Sequence, residues 1–126
     1  MPVTYLIKFD IVPEKRARFL SLLDGVLDAM QNEPTFHEAI LHVDPANENR
    51  LMLYETWEDH EDVVNVQLHR AYRQAYHQAL PEMLANEREI SIWRPLRRAC
   101  AGPCCTTAAI SSTRRLSPLR AFRIAA

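Results

Sequence analysis

The residues able to do chemistry lie mostly on one strand-like run and one helix-like run. In Leu51-Met52-Leu53-Tyr54-Glu55-Thr56-Trp57, period-two geometry puts Leu51, Leu53, Glu55 and Trp57 on one face. A carboxylate enclosed between Leu53 and Trp57 has a raised pKa unless it is hydrogen-bonded. Glu55 is therefore either a structural acid with a backbone or arginine partner, or a group that orients a substrate or a catalytic histidine. Trp57 either packs in the core or walls a flat aromatic ligand. His69 stands three residues before Tyr72, which makes them neighbours on a helix. An imidazole with an ordinary pKa near ~6.5 is a usable base at neutral pH. Tyr54, Tyr72 and Tyr76 are either core residues or hydroxyls that meet a phenolic substrate.

The five histidines do not make a metal site. His37 and His42 are an odd number apart, so a regular strand points them to opposite faces. His69 and His77 fall roughly 80° out of line on a helix. His60 reads as a solvent-facing residue at a helix start.

Composition removes other chemistries. The 2 glycines, Gly25 and Gly102, are far apart, which excludes glycine-rich phosphate loops and a Gly-x-Ser-x-Gly elbow. All 3 cysteines (Cys100, Cys104, Cys105) follow residue 96, so the preceding segment has no thiol nucleophile or thiolate metal site. No apolar run approaches the ~20 residues that span a membrane. The N-terminus shows no signal pattern, and a reducing cytoplasm is the expected address.

The elements that must position these groups follow from periodicity. Val3, Tyr5, Ile7, Phe9 and Ile11 alternate as a strand. Pro13 opens a helix whose stripe is Phe19, Leu22, Leu23, Val26, Leu27 and Met30. Gly25 within it suggests close packing against a neighbour. Strands are predicted over 35–43 and 50–57, joined as a hairpin through 44–49. Asp59 caps a helix over 60–68 that continues helically, after a possible break, through Leu80. Residues 87–94 form a last strand with Ile90 and Ile92 on one face and Trp93 on the other.

The order βαββαβ is an α+β, ferredoxin-like arrangement: a four-stranded antiparallel sheet with helices on one face. Apolar residues on both strand faces leave the second face needing cover, most simply a second copy of the chain. A homodimer through the open sheet face is expected. Residues 1–96 form the domain, with 9 basic and 16 acidic residues. Residues 97–126 carry 6 Arg and no acid, lose periodicity, and read as a disordered or non-native tail, with a basic nucleic-acid-binding arm as the alternative. No nucleic-acid partner is expected for residues 1–96.

The run Leu51 to Glu58 resembles the Tyr-Glu-x-Trp segment of the antibiotic biosynthesis monooxygenase family. Gln67-Leu68-His69-Arg70-Ala71-Tyr72-Arg73-Gln74-Ala75-Tyr76 resembles the family's histidine-containing helix, and the first strand with Pro13-Glu14-Lys15 is also similar. The resemblance covers about residues 3–96. It implies a dimeric ferredoxin-like α+β barrel. Several members oxidise quinols, anthrones or naphthacenes with O₂ and no flavin, haem or metal: a base removes a phenolic or acidic C–H proton, and the anion reduces O₂. Trp57 then matches the family's tryptophan, Glu55 its glutamate and His69 its histidine, while another register puts Gln67 or Tyr72 opposite the histidines. A frequent small-Pro-His step reads Arg70-Ala71-Tyr72 here. Haem-degrading relatives use an asparagine in the first strand, which this sequence lacks.

Three functions follow as expectations. One is a cofactor-independent monooxygenase of a quinol or polycyclic phenol, with Trp57, Tyr72, Tyr76 and Tyr54 around the substrate, His69 as base or donor and Glu55 orienting. Another is an isomerase or proton-transfer enzyme on a small polar metabolite, with Lys8, Arg70 and Arg73 as modest phosphate candidates. The third is a non-catalytic dimeric ligand-binding protein.

Overall fold

β1 (Val3–Asp10) is the central rod of the fold. Val3, Tyr5, Ile7 and Phe9 alternate inward and are each 2% exposed or less. The computed structural model describes residues 1–102, so the part of the expected tail from residue 103 onward lies outside the described residues. A 3₁₀ turn at Pro13–Lys15 leads into α1 (Arg16–Met30). The buried face of α1 is Phe19, Leu23, Val26 and Met30, with spacing 4, 3, 4. Phe19 stacks edge-on against Phe9 at 5.0 Å, and truncating it to alanine would cost about 3–5 kcal/mol.

β2 (Phe36–Asp44) and β3 (Asn47–Trp57) form the hairpin with a connection tighter than the sequence suggests. Asp44 pairs with Asn47, leaving Pro45 and Ala46 as the turn, and Asp44 Oδ1 accepts from the Ala46 amide at 2.8 Å. An aspartate holding the amide two residues on closes the chain without a longer loop.

α2 (His60–Asn65) starts where Asp59 accepts from the Asp62 amide. The helical run does not continue. It passes through 3₁₀ turns at Gln67–His69 and Ala71–Arg73, separated by extended Arg70 (φ −63°, ψ 137°), before α3 (Gln74–Met83). His69 and Tyr72 are therefore on different turns and are not helix neighbours. β4 (Glu89–Trp93) pairs with β1.

The sheet order is β2-β3-β1-β4, antiparallel throughout, with the helices on one face. This is the ferredoxin-like α+β fold. The core lies between that face and α1, α2 and α3, and Tyr76, Ala79, Leu80 and Met83 seal the α3 side. Val12 and Ala85 exchange backbone bonds with Met83 and Asp10, fastening the end of α3 to the end of β1.

Gly25 differs from expectation: a Cβ built there would meet nothing within 4 Å, so no close approach requires it. The second sheet face is only partly bare. Thr4 and Thr56 share a 2.9 Å hydrogen bond there and are buried. Beyond β4, Arg98 reaches Glu38 on β2, the opposite edge strand, at 2.6 Å. The segment after β4 thus crosses this face, with Arg94 and Pro95 closing a shallow groove of about 270 Å³ over Thr4, Leu6 and Tyr54. Ile40 and Trp93 remain exposed.

Candidate functional site

The helix-facing side of β3 carries Glu55 and Trp57, both with 0% exposure. Their burial follows from register: Glu55 pairs with Tyr5 on β1 and Ala39 on β2, at the middle of the sheet. Phe36 packs edge-on against Trp57 at 5.2 Å and closes that end. From above, α3 contributes Tyr76, and the turn before it contributes Arg73. Arg73 is also at 0% exposure.

Arg73 sits between two rings. Its guanidinium carbon is 5.7 Å from the centre of the Trp57 ring and 5.8 Å from that of Tyr72. Such contacts hold a cation by the ring quadrupole. They do not use its N–H groups, and all three guanidinium nitrogens lack a hydrogen-bond partner. Both Glu55 oxygens and the Trp57 indole nitrogen are also unpartnered. Buried polar groups are normally satisfied, so an acid, an indole N–H and a guanidinium without partners side by side make this cluster the candidate site.

Burial pushes the Glu55 carboxyl up to about 7. The charge of Arg73, the nearby Trp57 indole and the charge of Arg88 oppose that rise without cancelling it. Glu55 can therefore give and take a proton near neutrality. His77, on α3, is held down at about 4 by burial and then by Arg73 and Arg88, so it is neutral at pH 7. Tyr76 is pushed far up by burial, with Arg88 hydrogen-bonding its hydroxyl and partly opposing the rise. Tyr5 is likewise pushed up by burial and by Glu55, and its hydroxyl lies 2.7 Å from Nδ1 of His60. Both phenols stay protonated and can donate.

The structure brings together four of the residues singled out by sequence: Glu55, Trp57, Tyr72 and Tyr76. Two lie elsewhere. Tyr54 neighbours Glu55 in the chain and so points to the opposite sheet face, where it lines the groove under Pro95. His69 is exposed at the end of a 3₁₀ turn, because the break at Arg70 interrupts the helix that would have turned it inward. The three basic residues considered for phosphate do not converge. Lys8 is exposed, Arg70 pairs with Glu33 at 3.1 Å, and only Arg73 is enclosed. His60 is not free in solvent but bonded to Tyr5.

Sequence reasoning named Arg73 only as a phosphate candidate beside Lys8 and Arg70, and missed His77, Arg88 and Tyr5 as members of this cluster. One signal was available. Arg73 precedes Tyr76, Leu80 and Met83 by 3, 7 and 10 residues, which continues their stripe by one turn. Among the described residues, no group of three His, Cys, Asp or Glu is placed to hold a metal ion. No helix among them is long and apolar enough to cross a membrane.

Comparison with known proteins agrees with this architecture. The sequence pattern of the antibiotic biosynthesis monooxygenase family matches residues 2–79. No curated protein matches the sequence. Among solved structures, Rv0793 from Mycobacterium tuberculosis is 19% identical, with a TM-score of 0.71, over 79% of this chain and 100% of that one. A conserved protein from Methanosarcina mazei Go1 is 21% identical, with a TM-score of 0.68, over 75% of this chain and 92% of that one. SnoaB, a cofactor-independent oxygenase from Streptomyces nogalater, is 18% identical, with a TM-score of 0.66, over 77% of this chain and 95% of that one. At these identities the likeness to solved structures establishes the fold. The match over residues 2–79, on a ferredoxin-like sheet, shows that the chain belongs to the antibiotic biosynthesis monooxygenase family.

Proposed function

We propose that the protein is a cofactor-independent monooxygenase that converts a quinol or polycyclic phenol to a quinone with O₂, acting as a homodimer through the open sheet face. The observation that carries the reading is Glu55, a fully buried carboxyl at about 7 with neither oxygen paired, on the same strand face as Trp57. Glu55 is the base in this reading. His69, on the surface, has no role in it.

The electron balance needs no cofactor. Glu55 takes the phenolic proton, and the electron-rich anion passes an electron to O₂ beside the aromatic side chains. A C–O bond forms at a ring carbon that bears hydrogen, and Glu55 returns its proton to the peroxide. Glu55 then takes the ring C–H proton as the O–O bond breaks. The carbon becomes a carbonyl, and the departing hydroxide recovers that proton as water. One phenol and one O₂ thus give one quinone and one water. Trp57, Tyr72 and Tyr76 supply the walls.

Oxygen uptake by the full chain with naphthols, quinols and anthrones tests this. Uptake above autoxidation that falls about 10²-fold or more in Glu55→Gln supports the reading. Uptake unaffected by that change removes Glu55 as the base, and no uptake on any member of the panel counts against the oxygenase.

A second reading has its own observation. Arg73 and Arg88 both act on Glu55, as they would in an enzyme that moves a proton on a small anionic metabolite. Solvent deuterium entering such a compound without O₂ consumption would favour it.

A further inference from the structure

The geometry points to Arg73 as the receptor for a carboxylate on the substrate, so that the molecule taken up is a planar aromatic acid lying on Trp57. The inference deepens the function proposed above and rests on it for the identity of the site.

A guanidinium cannot shed its proton, so Arg73 carries its charge wherever it lies. Here it lies at 0% exposure with none of its three nitrogens hydrogen-bonded. Folding has removed water from the ion, and its guanidinium carbon lies 5.7 Å and 5.8 Å from the ring centres of Trp57 and Tyr72. The N–H edge of the fork is what remains without an acceptor, and the group that matches two parallel N–H donors is a carboxylate.

Glu55 is the carboxylate already present, and it does not fill this role. Neither of its oxygens is bonded to Arg73. Were the two a closed ion pair, the acid would fall below its ordinary value. Burial instead outweighs Arg73 and leaves Glu55 at about 7. Nor do the nearby acids compete. Glu33 spends its carboxylate on Arg70, Tyr72 and Gln67. The Tyr72 hydroxyl is turned toward Glu33 while its ring covers Arg73.

The two open groups then divide the work. Arg73 would hold the carboxylate in the plane of the fork, with the aromatic body against Trp57, and Glu55 would meet the phenolic proton. Tyr72 is half-buried where Trp57 is sealed, so solvent lies nearest the site on the Tyr72 side. A neutral quinol of the same size would leave the guanidinium unpaired and should bind worse, because a site built for a polar group discriminates strongly against a ligand that lacks it.

Calorimetric titration of the full chain with 1-hydroxy-2-naphthoate and with 1-hydroxy-2-naphthamide tests this. The two probes differ in charge and little in shape. The carboxylate should bind about tenfold or more tightly than the amide, and Arg73→Met should abolish that ratio. The melting temperature of Arg73→Met should match or exceed that of the wild type, because the change removes an unsatisfied buried charge. Arg73→Lys, which keeps the charge and loses the fork, should retain the fold and lose most of the preference. Equal binding of the two probes, no binding of the carboxylate, or an unchanged preference in Arg73→Met overturns the inference. So does a lower melting temperature for Arg73→Met that Arg73→Lys restores together with an unchanged preference. Carboxylate preference without oxygen uptake on any phenol would sink the oxygenase reading and keep the receptor. Uptake that is indifferent to the carboxylate would do the reverse.

Discussion

The hydroxyl of Tyr5 lies 2.7 Å from Nδ1 of His60, which joins the middle of the sheet to the first turn of α2. Tyr5 is fully buried and stays a neutral phenol, hydrogen-bonded to the imidazole nitrogen. This bond is a direct polar link between β1 and α2. Tyr5→Phe and His60→Ala should each destabilise the protein. In a double-mutant cycle read by urea unfolding, their coupling should be about 0.5–1.5 kcal/mol. Additive effects would mean that the bond contributes nothing.

Glu55 should make stability fall as pH rises. Its carboxyl is at about 7 in the folded protein against 4.5 as its ordinary value, so the folded state holds a proton that the unfolded chain has released between those values. The contribution is whole below about pH 4.5 and is lost as pH rises through about 7, a change of roughly 3 kcal/mol. His77 runs the other way. Its imidazole is depressed to about 4, so its contribution is present above about 6.5 and is lost as pH falls through about 4. Comparing wild type with Glu55→Gln isolates the first effect. The variant should gain on wild type by roughly 3 kcal/mol between pH 5 and pH 8 in chemical denaturation. Parallel curves would refute it.

Glu33 holds the broken stretch between α2 and α3. Its carboxylate accepts from Arg70, Tyr72 and Gln67 at 3.1, 3.3 and 3.5 Å, with its side chain only 11% exposed. Glu33→Ala should cost about 1–3 kcal/mol, because three donors lose one acceptor. Amide exchange should quicken first over residues 66–73, and the aromatic cover of Arg73 should loosen with it.

Gly25 faces open space on an α1 that is helical on both sides of it. Gly25→Ala should stabilise the protein by about 0.5–1 kcal/mol, seen as a higher melting temperature with unchanged site chemistry.

The open sheet face should carry self-association. Ile40 and Trp93 are 46% and 60% exposed on that face, and Leu6 and Tyr54 lie between them. In sedimentation velocity the full chain should run as a dimer, and Ile40→Lys with Trp93→Asp should shift it toward monomer while leaving circular dichroism unchanged. A wild-type monomer would instead leave the segment after β4 as the cover that this face needs.

The sequence by itself determined the order of the elements and the side of each strand that turns inward. That information is local: period-two alternation places Tyr5, Glu55 and Trp57, and the 3.6-residue period places Phe19, Leu23, Val26 and Met30. It also carried the family, through the order of short motifs along the chain. The phase of the chain between Asn65 and Gln74 was decided by the tertiary structure. There the ion pair of Arg70 with Glu33, 37 residues away, accompanies the extended backbone at Arg70 that resets the helix. That reset puts His69 outside and Arg73 inside. The α3 stripe hints at the inward place of Arg73, but nothing in the segment encodes the break at Arg70, because its partner Glu33 lies just beyond α1. The raised carboxyl of Glu55 is likewise visible in the sequence only as a choice between a paired and an unpaired acid. The choice falls to the tertiary structure, because it depends on how close the guanidinium of Arg73 comes once α3 has settled on the sheet.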